Sequence, residues 1–218
     1  MHNVMAGKLS IVATPIGNLE DITLRALRTL KEADIVACED TRVTRKLLAH
    51  FDIHTPASTL PHVPRLLSRD KWVALVTDAG MPGISDPGLE IVSNARKQGV
   101  AIETVPGSSA LTAAISISGL KMPSFIFYGF LPHKKGREKL LKEVAASERA
   151  VIFFESPHRI LKTLDALARL LQKDRQIGLF RELTKLHEES IVGTVDEVIK
   201  HLVPEKRRGE FVIIVEAQ

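Results

Sequence analysis

The chain reads as a two-domain α/β protein whose first half holds a mostly parallel sheet. Three observations predict this. Short apolar runs alternate with amphipathic stretches, the rhythm of parallel strands joined by helices. Glycine- and proline-rich turns follow several of those runs, where open α/β sheets keep their ligands. The pattern then changes at Gly119-Leu120-Lys121-Met122-Pro123, which has linker composition. That places a boundary between residues 1–119 and 120–218.

In order, Leu9–Ala13 reads as a strand and Thr23–Ala33 as a helix, with Leu24, Leu27 and Leu30 at a spacing of three. Ile35–Cys38 is a second strand, Thr44–Phe51 a short helix, and Trp72–Thr77 a buried strand. Pro87 suits the start of the next helix, which Gly99 closes. Ile102–Val105 is a strand, and Ser108 or Ser109 caps a helix ended by Gly119. In the second half Phe125–Phe130, Val151–Phe154, Ile177–Arg181, Ser190–Val192 and Phe211–Val215 read as strands. Pro157–Leu171 and Val195–Leu202 read as helices among them.

The composition is 44% hydrophobic and 26% charged, that of a soluble globular protein. No apolar run is long enough to span a membrane, and Met1–Ser10 lacks a signal-peptide core. A single cysteine, Cys38, excludes an intrachain disulfide and fits the reducing cytoplasm. Residues 1–118 carry 12 basic and 12 acidic side chains, so the net charge of +4 belongs to the rest. Its clusters, His133-Lys134-Lys135-Gly136-Arg137 and Lys206-Arg207-Arg208, suit a polyanion or simply a solvated surface.

The most informative stretch is Thr77–Gly88, which opens directly from a buried strand. Its glycines let the backbone approach a small molecule closely. Cys38-Glu39-Asp40-Thr41-Arg42 puts two carboxylates beside an arginine at another strand end, either a substrate-positioning or basic group or a plain helix cap. Val105-Pro106-Gly107-Ser108-Ser109-Ala110 leads from a strand into a helix whose free amides suit a polar ligand edge. Thr14-Pro15-Ile16-Gly17-Asn18 has no dinucleotide-binding glycine spacing, and no P-loop or nucleophile elbow occurs. His50 and His54 lack the glutamate of a zinc protease helix and read as surface residues, so no metal is expected. On the residues alone, the reaction type stays open.

Eight segments stand together in register: Ala13–Thr23, Glu39–Arg42, Asp78–Gly88, Pro106-Gly107, Gly129–Pro132, Phe154–Arg159, Arg181–Lys185 and Gly209–Phe211. In this combination the chain resembles the tetrapyrrole-methylase-like S-adenosylmethionine-dependent methyltransferases. More narrowly it resembles their bacterial branch that 2′-O-methylates a cytidine in the decoding region of 16S ribosomal RNA. The resemblance implies a two-domain tetrapyrrole-methylase-like fold with a mixed sheet in the C-terminal domain. It further implies a cytoplasmic homodimer acting on 16S rRNA within the 30S subunit, not on DNA or membranes.

S-adenosyl-L-methionine is the implied cofactor, held between the domains. By the resemblance, Pro15, Ala79, Gly80, Met81, Ile84, Ser109, Ala110, Glu155 and Leu183 contact it. Asp40 is the first candidate for taking the ribose hydroxyl proton, Glu182 the second, and Lys185 a positioner. A tetrapyrrole or other small substrate, or a non-catalytic ribosome-binding role, are the alternatives. One departure is visible: Thr55–Lys71 is short by about one ordinary helix of ~10 residues and lacks the branch's histidine-rich segment.

Overall fold

A computed structural model describes residues 7–218; residues 1–6, part of the stretch expected to lack a signal core, lie outside it. The chain forms two compact units, residues 1–109 and 110–218. Among the described residues no helix is long and apolar enough to cross a membrane.

In the first unit the order is β1 (Lys8–Val12), α1 (Leu24–Glu32), β2 (Ile35–Cys38), α2 (Thr41–His50), β3 (Ala57–Thr59), α3 (Val63–Leu67), β4 (Trp72–Leu75), α4 (Gly88–Lys97) and β5 (Ala101–Val105). The five strands lie in the order β3-β2-β4-β1-β5, all parallel. Side chains alternate across the sheet, so two cores form. Val12, Val36, Ala74 and Val76 meet Ala26 and Leu30 of α1 and Leu48 of α2 on one face. Leu9, Ile11, Val73 and Leu75 meet Val63 and Leu67 of α3 and Ala95 of α4 on the other. The chain leaves β1 toward one face and β4 toward the other. Because β1 and β4 are neighbours, their carboxyl ends bound the crevice that such a reversal of direction creates.

At the opposite end of this sheet, Trp72 donates its indole N–H to Ser10 Oγ at 2.7 Å, and Lys8 Nζ lies 4.1 Å from its ring centroid. That arrangement ties β4 to β1 beside a cation–π contact.

The second unit runs α5 (Ala110–Ser118), β6 (Phe125–Phe130), α6 (Arg137–Ala145), β7 (Ala150–Glu155), α7 (Ile160–Leu170), β8 (Gln176–Arg181), β9 (Glu189–Thr194), α8 (Val195–His201) and β10 (Phe211–Val215). Its sheet is mixed, in the order β6-β7-β10-β8-β9: β6 and β7 are parallel and the other pairs antiparallel. Val151, Phe153, Leu179 and Ile213 face Leu141, Leu164 and Val198 of α6, α7 and α8. Helix α5 packs against β10 and β9 and groups with this unit. The change of composition at residue 120 thus falls just after α5, whereas the division by contacts falls before it.

Two differences from the sequence expectation stand out. The stretch expected to be short by one helix holds β3, a 3-10 turn over Leu60–His62, and the five-residue α3. Helix α6 was not anticipated, although Leu140, Leu141 and Val144 carry its apolar spacing and the last two are buried.

Candidate active site

Four of the marked loops follow the carboxyl ends of parallel strands in the first unit. The loops after β1 and β4 are bonded to each other. Thr14 N–H donates to Gly80 O at 2.9 Å, and Gly80 N–H returns a bond to Thr14 O at 3.1 Å. Thr14 Oγ1 donates to Thr77 O at 3.1 Å. Pro15 and Ile16 are buried beneath this tie, while Asp78 and Ala79 between the two anchors are exposed. Gly80 has φ +86° and a Cβ there would press on Ile16 at 3.2 Å, so the close approach needs glycine.

Farther along, the Asp86 carboxylate accepts from Gly83 N–H at 2.9 and 2.8 Å and from Gly88 N–H at 2.6 Å. It closes the loop on itself and anchors the start of α4. Ser85 within this loop has φ +65°, a left-handed conformation costly for a residue with a Cβ. Met81 packs against the α3/α4 core, and Ile84 is half-buried. The loop after β5 packs Gly107 on Ala13, where a Cβ would reach Ala13 Cβ at 3.0 Å. Ser109 ends the first unit and Ala110 opens α5 of the second.

The β2–α2 loop reaches the same crevice through Glu39, which accepts from Thr77 Oγ1 at 2.6 Å. Asp40 caps α2 by accepting from Arg42 N–H at 2.8 Å. Its carboxylate also pairs with the Arg42 guanidinium, Nη2 to Oδ2 at 2.7 Å. That guanidinium is the main reason the Asp40 carboxyl is held down to about 2.

In the second unit the loop after β8 is strained. Glu182 and Thr184 have φ +52° and +66°. Glu182 Oε1 accepts from Lys185 Nζ at 2.8 Å and from Glu210 N–H at 3.0 Å. Lys185 Nζ also donates to Glu210 Oε2 at 3.0 Å. Burial pushes the Glu182 carboxyl up, but Lys185 and the Glu210 amide outweigh it and leave it below the ordinary value. Burial pulls the Lys185 ammonium down, and its two carboxylate partners more than reverse this. Glu182 and Lys185 are therefore a charged pair, with Leu183 buried between them in sequence.

Glu155 occupies a different setting from an open cofactor contact. Its side chain is 0% exposed, with Arg137 at 2.8 Å on one oxygen and Arg159 at 2.8 Å on the other. Thr163 Oγ1 and Ser156 N–H complete its partners. Arg137 and Arg159 in turn donate to Pro132 O and Leu131 O. The cluster thus fixes the Gly129–Pro132 and Ser156–Arg159 segments against each other. Sequence reasoning missed this network, although its members lie within marked motifs or beside them. It also removes Arg137 from the basic surface counted in the sequence, while Lys206 is paired with Glu189.

Residues 8–199 match the family described as Tetrapyrrole (Corrin/Porphyrin) Methylases. The chain belongs to the tetrapyrrole methylase family. Two relatives are named Ribosomal RNA small subunit methyltransferase I. That of Thermotoga maritima is 45% identical, over 96% of this chain and 98% of its own length. That of Halalkalibacterium halodurans is 47% identical, over 96% of this chain and 76% of its own. Among solved structures, a cobalt precorrin-4 methyltransferase has a TM-score of 0.69 at 20% identity and covers 96% of this chain and 94% of its own. A uroporphyrin-III-C-methyltransferase from Thermus thermophilus has a TM-score of 0.69 at 19% identity, with the same coverage of both chains. These two share the tetrapyrrole methylase fold with the chain.

The family implies an S-adenosylmethionine-type methyl donor, and the first unit fits one. The Thr14–Gly80 tie and the Asp86 clamp fix a glycine-lined loop in which Asp78 and Ala79 are exposed. Fixed backbone donors and acceptors of this kind suit the amino and carboxylate groups of a methionine moiety.

Proposed function

We propose that the chain is an S-adenosylmethionine-dependent methyltransferase that 2′-O-methylates a cytidine ribose in the decoding region of 16S rRNA. The observation that carries this reading is the near full-length similarity to relatives named for small-subunit rRNA methylation. The eight motifs in register support the narrower assignment. Pro15, Ala79, Gly80, Met81 and Ile84 are assigned to the cofactor from the first unit, with Ser109 at its end and Ala110 at the start of α5. Leu183 is kept as a contact from the second. Glu155 is assigned to support its neighbouring backbone, because its carboxylate is already fully engaged.

When bound, the cofactor supplies an electrophilic methyl group on a sulfonium. The chain's task is to align a ribose hydroxyl with it and accept the proton as the new C–O bond forms. Attack makes the ribose oxygen positive and strongly acidic, so even a carboxylate held at about 2 can take that proton late in the step. Asp40 fits this role as an orienting acceptor first and a proton acceptor second. Glu182 is the second candidate, and Lys185, being cationic, orients. The second unit has exposed apolar side chains at both sheet edges, Phe125 and Phe130 on β6 and Val192 on β9, that are available to the expected homodimer. The 30S subunit is the expected target and the cytoplasm the expected place.

The test is tritiated methyl transfer to 30S subunits lacking the modification, followed by mapping. One labelled cytidine 2′-oxygen in the decoding region is the expected result. Label on a base, on another ribose, or no transfer despite calorimetric cofactor binding would overturn the proposal.

A further inference from the structure

Helix α2 is unusual in its charge. Its sequence, Thr41-Arg42-Val43-Thr44-Arg45-Lys46-Leu47-Leu48-Ala49-His50, contains three permanent cations and no acid. Arg42, Arg45 and Lys46 recur at spacings of three and four, which puts them along one side of the helix. Leu48 and Thr44 are the buried positions, and all three cations are exposed. Among the described residues neither Arg45 nor Lys46 forms an ion pair, and the Arg42 side chain is 85% exposed despite its bond to Asp40.

The surroundings make this stripe stand out. The strand-end loops beside it carry Glu39, Asp40, Asp78 and Asp86, so this edge of the first sheet is otherwise acidic. A cationic row that begins at such an edge, with Arg45 and Lys46 outside any ion pair among the described residues, is poised to hold a polyanion whose one sugar must enter the crevice. The clusters in the second unit are less free. Arg137 is buried against Glu155, Lys206 pairs with Glu189, and Arg207 Nε donates to Leu202 O at 3.1 Å.

We infer that α2 is a phosphate-backbone grip for the RNA substrate, with Arg45 and Lys46 contacting phosphodiesters next to the methylated nucleotide. This rests on the reading that RNA is the substrate. Phosphate contacts set affinity and register, and each one lost lowers the salt dependence of binding by about one power.

The experiment compares wild type, the Arg45→Gln/Lys46→Gln double variant and a Lys134→Gln/Lys135→Gln control as full-length chains. Each is titrated against 30S subunits lacking the modification, from about 0.05 to 0.2 M salt. Wild type gains affinity as salt falls. The α2 variant should gain about tenfold less over that range, with a slope lower by about two. Its cofactor Kd should stay unchanged. The charge-conserving Arg45→Lys/Lys46→Arg variant should bind like wild type, which separates charge from misfolding. An unchanged slope in the Arg45→Gln/Lys46→Gln variant would overturn the proposal, as would a loss confined to the Lys134→Gln/Lys135→Gln control. A wild type that binds with the α2-dependent slope yet methylates no ribose would uphold the grip and overturn the proposed reaction instead.

Discussion

Gly209 has φ +92°, and a Cβ there would collide with the Glu182 carboxyl group. Glycine at this position lets the strained Glu182 keep both Lys185 and the Glu210 amide. Gly209→Ala should therefore destabilise the protein by about 1–3 kcal/mol, read as a lowered Tm. The Asp40–Arg42 pair makes a second prediction. A depressed carboxyl contributes stability fully present above its ordinary value of 3.8 and lost as pH falls through about 2. A carbon-13 titration of Asp40 should show that low midpoint, and Arg42→Gln should move it up toward 3.8. If Asp40 receives the proton, Asp40→Asn should slow single-turnover methylation by roughly 10²–10⁴-fold, the range of general-base catalysis. A rate within twofold of wild type, with cofactor binding intact, would remove Asp40 from the mechanism.

The β4–α4 connection shows how an element is shaped for a ligand. Thr14 holds it at Thr77 and at Gly80, with the exposed Asp78–Ala79 between those two points, and Asp86 holds its far end at the start of α4. Asp86→Ala removes a charged acceptor from two backbone amides, a loss of about 1.5–3 kcal/mol per bond when uncompensated. Cofactor Kd measured by calorimetry should weaken at least tenfold, with circular dichroism little changed. Much of this was legible from residues alone. β2, β6 and β10 match the expected spans because each is a short apolar run bounded by turn residues or a charge. Helices α3 and α6 were hidden for different reasons. α3 has only five residues and holds Pro64, so it offers no periodicity to detect. α6 has the periodicity, but its five charged residues mask it in a cation-rich stretch. Glu155 was legible as a motif member but not as a buried ion, because its partners converge from α6, α7 and the turn between β7 and α7.

Each unit of the molecule has its own core, and the buried Glu155 cluster belongs wholly to the second. Glu155→Gln leaves two arginines without their counter-charge, a defect that typically costs about 3–5 kcal/mol. Hydrogen exchange should then quicken across β6–β10 while β1–β5 stay protected. Equal deprotection of both sheets would show that the two units unfold as one. At this scale, charge also differed from the sequence count. Residues 1–118 are neutral in sum, yet folding sorts their charges, with carboxylates at the strand-end loops and cations along α2. Finally, the placement of Trp72 between Ser10 and Lys8 has an optical consequence. It is the chain's one tryptophan and lies in the first unit, and Tyr128, the one tyrosine, lies in the second. Each half thus carries a native chromophore of its own. Red-edge excitation selects the indole alone, so its emission follows the melting of the first sheet without any label.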